Sequence, residues 1–367
     1  MRFVWQLKDW PRFTWDARTL AGELSETVLK QGRFLGELSA IGFENRKRAG
    51  FESISDEIVN SAAIEGETLN RDDVRSSVAR RMEIVLSEEG RRKSSHQLDA
   101  RVDMMLDATR SWRKQMTLPR LKAWHAALFP TGYSGLVRIR AGRLRTDDEG
   151  PMQVVSRHGS LLRVHFEAPP SSSLPGEMKT FLSWLGESDS QTPSLVRIAL
   201  AHLRFLTLHP FEDGNGRLAR ALTEYLLARA EMSELRFYSL SSQIQKEKES
   251  YYDELEHAQR NSLDVTRWVG WFLGLHRRAI DAAEGTLSGI LTKARFWQKH
   301  ANDSFNVHQR EMLNRLLDGF EGNLTSSKWA KICKVSQDCK GTDSGRHAEW
   351  RATSGAVRKI SRGSEVG

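Results

Sequence analysis

LTLHPFEDGNGRLARALTEYLL, residues 206–227, is the stretch on which the reading of this chain turns. An apolar helical run ends at Leu208, and His209-Pro210 begins a loop. Asp213-Gly214-Asn215-Gly216 is a tight turn whose two glycines permit unusual backbone angles and the close approach of a ligand. Gly216 opens a second helix, and the free amides of its first turn point back into the loop. Such amides, with a nest of N–H groups in the turn, favour an anion, phosphate above all. Arg217 and Arg220 share a face one helical turn apart, suited to charge-assisted bonds with two phosphate groups. Asp213 is an oxygen donor of the kind Mg2+ takes together with substrate phosphates. His209 carries the side chain that titrates near neutrality and can accept a proton from a hydroxyl. Singly, a Gly-Asn-Gly turn is an ordinary turn and a loop histidine an ordinary polar group. Here a base, a metal ligand, an anion cradle and two arginines fall within positions 209–220.

Outward from this stretch the chain reads as mostly helical. Apolar spacing predicts helices over 16–38, 52–64, 70–82, 97–112, 119–129, 175–185, 193–208, 216–230, 246–259 and 265–283. Asn70 is placed to cap the third of these. Between 132 and 170, Gly, Pro and Asp punctuate two alternating runs, PMQVVSRH and LLRVHFEAPP, on either side of Gly159-Ser160. That pattern predicts a β-hairpin at roughly 151–164. Ser61 and Glu65, four residues apart, share a helix face, and Gly66 stands where a C-cap would. Trp5, Trp10 and Trp15 recur every five residues, a period of neither helix nor strand, and are expected to pack an N-terminal arm onto the body.

HPFEDGNGRLAR satisfies every specified position of HxFx[DE]GNGRxxR, the signature of the Fic family, and the chain resembles that family. WHAALFPTGYSGLVRIRAGRLR, VHFEAPP, TRWVGWFLG and the WPRFTWD segment are similar to its multi-domain bacterial branch. The resemblance implies a mainly α fold. A Fic-type helical core would cover 106–283 with a β-hairpin flap, after an N-terminal helical domain over 1–105 that holds an inhibitory helix near 52–66. A linker over 284–305, a partial winged-helix-like segment over 306–340 and a disordered tail over 341–367 would follow. The implied reaction is AMPylation, the transfer of AMP from ATP, with Mg2+, to a Ser, Thr or Tyr hydroxyl of a protein.

Residue by residue, the resemblance makes His209 the general base and Asp213 the Mg2+ ligand. Gly214, Asn215 and Gly216 become the phosphate cradle, with Phe211 anchoring the loop in the core. Arg217 and Arg220 would hold the outer phosphates, Leu218 and Ala219 completing the nucleotide-facing turn between them. Val155 and Ser156 of the flap would face the nucleotide, while the flap clamps an extended target segment by main-chain pairing. Tyr251, Tyr252 and Gln259 would line the adenine pocket. Ser61-x-x-x-Glu65-Gly66 fits the family's inhibitory pattern [ST]xxxE[GN]. Glu65 would then pair with Arg220, in competition with the γ-phosphate, and Ser61 would support it. In some relatives with this brake the same glutamate also orients a water for removing AMP, which leaves a reverse activity open.

The chain has 367 residues, 55 basic and 47 acidic, a formal charge of +8. No uncharged apolar run approaches the ~20 residues of a bilayer span, so no membrane partner is expected. MRFVWQLKDWPRF lacks the basic and apolar regions of a signal peptide. Two cysteines, Cys333 and Cys339, make neither a disulfide scaffold nor a zinc set, and the cytoplasm is the expected compartment. LTSSKWAKICKVSQD opens like a winged helix, but the residues after it lack the apolar face to complete one, which counts against nucleic-acid binding. A truncation or an altered reading frame would produce that departure. The expected partners are a protein bearing an exposed hydroxyl, including a copy of the chain itself, and a second copy in a homodimer. Two alternatives stand beside AMPylation: a nucleotide-sensing or DNA-binding regulator without transferase activity, and a Fic enzyme that transfers another phosphate-containing group. His209 favours an enzyme, because a sensor has no use for a base.

Overall fold

Apolar residues at helical spacing do become helices through most of the chain. A computed structural model describes residues 2–86, 92–148, 150–158, 161–187, 191–260, 262–305, 310, 313–314 and 316–317. Among them are twelve α-helices and two short antiparallel hairpins, a mainly α fold.

One compact unit comprises residues 1–34 and 46–283. After the N-terminal arm come α1 (Ala17–Ser39), α2 (Phe43–Ile64), α3 (Arg71–Arg81), α4 (His96–Arg110) and α5 (Leu118–Leu128). Asn70 caps α3 by accepting from the amides of Asp72 and Asp73. α2 ends at Gly66, whose φ of +80° lets the Glu67 amide turn back to the carbonyl of Ala62. The arm is tied down by Val4 N–H to Gln259 O (2.9 Å) and by Trp5 Nε1 to Glu167 O (2.7 Å). Trp5, Trp10 and Trp15 are each partly covered.

The short pair β1 (Tyr133–Ser134) and β2 (Val137–Arg138) follows, then the predicted hairpin as β3 (Gln153–His158) and β4 (Leu161–Glu167). A bulge between Val154 and Val155 shifts its register, so that Val154 faces Phe166 and Val155 faces Val164. α6 (Leu174–Gly186), α7 (Ser194–Leu208), α8 (Asn215–Ala230), α9 (Leu240–Lys246), α10 (Lys248–Ala258) and α11 (Thr266–Thr286) complete the unit. α9 has no counterpart in the sequence reading. It is a two-turn helix capped by Ser239, too short to show a period. α7 and α8 pack together at the centre, α8 also packing on α4, and nearly every side chain of the two is buried. Burial on all sides is what puts the loop between them on a rigid base.

A second unit comprises residues 35–45 and those from 284 onward. The stretch 284–305, expected as a linker, contains α12 (Ser288–Lys299), with Leu287, Leu291 and Phe296 buried. Arg295 of α12 forms an ion pair with Glu37. The winged-helix-like segment over 306–340, the tail over 341–367 and Cys333 and Cys339 lie outside the described residues, apart from a few helical positions between 310 and 317.

Candidate active site

The loop that joins α7 to α8 is built so that its backbone, not only its side chains, is fixed. α7 stops because His209 adopts the left-handed conformation, φ +46°, with its amide still bonded to Phe205 O (3.0 Å). Phe211 is fully buried and stacks on the His125 ring at 4.2 Å. Asn215 closes the loop on itself. Its Oδ1 accepts from Phe211 N–H (3.0 Å) and its Nδ2 donates to Phe211 O (2.8 Å). Gly214 starts α8 at φ +76°, where a β-carbon would lie 2.7 Å from the Phe129 ring, so only glycine fits. The amides of Asn215, Gly216 and Arg217 find no acceptor among the described residues. They form an open, positively polarised helix end.

The imidazole of His209 is partly buried. Its Nδ1 lies 3.3 Å from Leu206 O, and since a carbonyl only accepts, that nitrogen carries the hydrogen. Nε2 therefore keeps its lone pair. Burial pushes His209 down to about 4, with Arg145 adding to the effect against Leu206 O, Glu65 and Asp213, so the ring is neutral at pH 7. Asp213 Oδ1 accepts from Gly214 N–H (2.6 Å), and Oδ2 accepts from Ser134 and lies 3.6 Å from Arg217 Nη2. The Asp213 carboxylate is 43% exposed, an available oxygen donor of the type Mg2+ prefers.

The arginines are held by the end of α2. Arg220, 2% exposed, donates from Nη2 to Glu65 Oε1 (2.7 Å) and Ser61 O (2.8 Å), and from Nε to Ser61 Oγ (2.9 Å). Burial opposes its charge most strongly, but Glu65 together with Tyr251 and Tyr252 raises its pKa on balance. Arg220 Nη1 and Arg217 Nε are buried without partners among the described residues. The Glu65 carboxylate covers the start of α8 so closely that a β-carbon on Gly216 would collide with Oε1. Arg217 donates to Glu67 Oε2 (2.9 Å) and lies 4.8 Å from the centre of the Phe129 ring; Glu67 also pairs with Arg101. Thus both arginines face carboxylates two residues apart, of which only Glu65 has a sequence pattern.

Residues 115–227 match the Fic/DOC family and residues 3–84 a domain of unknown function (DUF4172). The chain carries a Fic domain. Among its relatives, the protein adenylyltransferase Fic of Aedes aegypti is 27% identical over 245 residues, 64% of this chain and 42% of that one. A uridine 5'-monophosphate transferase of Xanthomonas campestris is 39% identical over 69 residues, 17% of this chain and 12% of that one. The crystal structure of a Fic family protein from Desulfovibrio desulfuricans has the same fold, with a TM-score of 0.54 at 23% identity, covering 87% of this chain and 84% of that one. This chain spans less than half the length of the curated relatives it matches.

The Fic core keeps some expected nucleotide-side residues at the loop and uses others internally. Leu218 and Ala219 are fully buried, and the Leu218 amide is taken by Gly214 O, so their side chains pack in the core. Tyr251 is buried beside Arg220. Thr223 Oγ1 donates to Ala219 O and so accepts from His202 Nδ1 (2.9 Å), leaving His202 Nε2 to accept from the Tyr251 hydroxyl (2.9 Å). Gln259 is also buried, its carbonyl holding Val4. Tyr252, 39% exposed, is the tyrosine that presents a face. On the flap Val155 is exposed, while Ser156 Oγ bonds to His165 Nε2 (2.6 Å), and His165 Nδ1 to Glu256 Oε2 (2.6 Å), fixing the hairpin to α10.

Two residues that fix the Fic loop carry no spacing signal. Arg145, 2% exposed, donates from Nε to His209 O (2.7 Å) and from its amide to Pro210 O (3.0 Å), and pairs with Asp147 (2.8 Å). His125 accepts from Gly142 N–H at Nδ1 (2.8 Å), so its Nε2–H donates to Asp213 O (3.1 Å). Both grip carbonyls of the loop that carries His209 and Asp213. Among the described residues, no helix is long and apolar enough to cross a membrane.

Proposed function

We propose that this Fic protein transfers AMP from ATP to a hydroxyl of a protein, and that residues 61–67 hold it in check. The observation that carries the reading is His209 with Nε2 free, on the loop whose open amides and two arginines form an anion site. His209 Nε2 would take the hydroxyl proton as oxygen attacks the α-phosphorus and the bond to the β-phosphate oxygen breaks, releasing pyrophosphate. A polyphosphate beside the ring raises its affinity for that proton, bringing a base depressed to about 4 toward useful strength. Asp213 would hold Mg2+, which supplies charge neutralisation at the departing phosphates. The amides of residues 215–217 and the two arginines fix the donor in place, so alignment and preorganised charge do most of the catalysis. Ser, Thr and Tyr are the acceptor residues, presented as an extended segment along the exposed side of the flap.

Glu65 would compete with the donor for Arg220, and Glu67 for Arg217. Mass spectrometry of Glu65→Gly protein with ATP and Mg2+, alone and with candidate protein substrates, tests the reading. An adenylate adduct absent from the Glu65→Gly, His209→Ala double variant is expected, and no adduct on any protein would sink it. The Xanthomonas relative, a uridine 5'-monophosphate transferase, favours one second reading, transfer of UMP. UTP replacing ATP as the better donor in the same assay would select it.

A further inference from the structure

The N-terminal arm, α6 and α7 border a cleft of about 1210 Å3. Its apolar walls are Trp10, Phe13 and Trp15 from the arm and Trp184 from α6, each partly exposed. Trp10 is set by Nε1 donating to Glu177 (3.1 Å) and by an edge contact with Phe13 at 5.4 Å. Four cations line the cleft, Lys8, Arg12, Lys179 and Arg204, against the carboxylates of Asp9 and Glu187, an excess of two positive charges. Lys8, Arg12 and Lys179 are exposed and have no ion pair among the described residues.

Arg204 differs from the other three. It is 4% exposed, and its guanidinium lies 5.5 Å from the Phe181 ring and 5.7 Å from the Trp184 ring. Burial lowers its pKa to about 10 against the support of Glu177 and Glu187, so it stays charged at neutral pH. Nε and Nη2, the edge of a guanidinium that grips a carboxylate side-on, have no hydrogen-bond partner among the described residues. A buried donor left unmet is destabilising. Two on one cation, beside a cleft of net positive charge, describe a site that lacks an anion.

We propose that this cleft binds an acidic peptide segment of a partner protein, with a carboxylate directed at Arg204 and flanking apolar side chains against the tryptophans. Its volume exceeds the roughly 300–1,000 Å3 of small-molecule sites and suits several residues. A single-stranded nucleic acid fits less well. Asp9 and Glu187 would face a phosphate at every nucleotide, and a buried arginine anchors one group but does not track a backbone. Aromatic anchors and arginine are also what protein interfaces use at their centres. The proposal gives the first residues of the DUF4172 region a task, and it stands whether or not the Fic loop transfers AMP.

The test is panning of a random 12-residue peptide display library on the full chain, followed by fluorescence anisotropy with the selected peptides. Asp or Glu together with Trp, Phe or Pro should be enriched. Binding should fall at least tenfold in Arg12→Glu and in Lys179→Glu, whose exposed side chains leave folding intact by thermal melt. Arg204→Met should weaken it as much, with tryptophan emission reporting occupancy in the wild type. No enrichment, enrichment without acidic residues, or binding indifferent to both charge reversals would overturn the proposal. Tighter binding of labelled oligo(dT), displacing the peptides, would replace it with a nucleic-acid groove.

Discussion

Replacing Glu65 by glycine removes one charge-assisted bond from a guanidinium that has other means of staying in place. Arg220 would keep its bonds to Ser61 Oγ and Ser61 O, so its orientation toward the loop survives the substitution. A hydrogen bond to a charged group contributes roughly 1.5–3 kcal/mol, and each 1.4 kcal/mol is about a factor of ten in binding. The Glu65 side chain is 31% exposed, so solvent screening points to the lower half of that range. Affinity for ATP with Mg2+, and the initial rate of AMP incorporation at low ATP, should rise about 10- to 50-fold. A second consequence has the opposite sign. Without nucleotide the buried cation has lost its counter-charge, and the variant should melt below the wild type. At ATP a hundred times its dissociation constant, binding restores about 2.7 kcal/mol, so the nucleotide-induced rise in Tm should be larger in the variant. Titration calorimetry, labelled-AMP incorporation and paired thermal melts read the three quantities. Nucleotide affinity within twofold of wild type, in a variant whose melt confirms the lost pair, would refute the competition.

Glu67→Gln should raise nucleotide affinity by about two- to fivefold, because Glu67 is 35% exposed and its pair with Arg217 is more screened; an effect equal to that of Glu65→Gly in calorimetry would show the ranking wrong. Arg145→Met, in the Glu65→Gly background, should cut kcat by about ten- to a hundredfold with KM for ATP little changed, since it displaces the His209 backbone and leaves the cradle; an unaltered kcat refutes it. Gly214→Ala should destabilise the fold by about 1–3 kcal/mol through its positive φ and the Phe129 contact, read as a lower urea midpoint. Stability should also fall as pH drops below 6.5. Burial lowers His125 and His209 to about 4 and His202 and His276 to about 3, so the unfolded chain binds more protons, at about 1.4 kcal/mol per unit for each. Glu224, raised to about 8, acts in the opposite sense over the same interval and offsets one of the four, so the net direction is a loss of stability as pH falls toward 4. Urea unfolding with equal stability at pH 6.5 and 5.5 would contradict this.

Periodicity located most of the helices because apolar residues recur at helical spacing, and the hairpin because Gly and Pro bracket alternating runs. Apolar character does not mark every core position: in α1, Val28 is 49% exposed while Thr27 is fully buried, its hydroxyl donating to Glu23 O (2.7 Å). The loop was legible because its constraints are local: a positive-φ glycine, an asparagine that bonds back four residues, and an arginine pair on one helix face. Arg145 and Glu67 were not, for a physical reason. Arg145 reaches His209 O across 64 residues and Glu67 reaches Arg217 across 150, and nothing in the local pattern of an RLR or an EGE marks which charge will be buried. The adenine-side expectation shows the reverse. A tyrosine pair on a helix invites a pocket, yet Tyr251 spends its hydroxyl on His202, a contact that only the packing of α10 on α7 creates.

The charges at the loop also say how the proposed brake would be released. Residues 65–67 bring two carboxylates to three guanidinium groups, those of Arg101, Arg217 and Arg220. Among the described residues, Arg101 Nε, Arg217 Nε and Arg220 Nη1 have no hydrogen-bond partner and three helix-end amides have no acceptor. The segment therefore answers only part of the anion demand that the site creates. On the proposed function, Glu65 and Glu67 stand where two phosphate groups of a donor would, as a weaker and less charged substitute for them. A triphosphate supplies more negative charge and can reach the open amides, so it has more to gain from the site than the two side chains it displaces. Backbone refolding need not accompany that exchange, because Gly66 already ends α2 and the two carboxylates hang from the turn beyond it. Rotation of two side chains is enough to open the cradle. A signal that draws this turn away from α8 by a few ångströms would shift the competition without altering a single group on the loop.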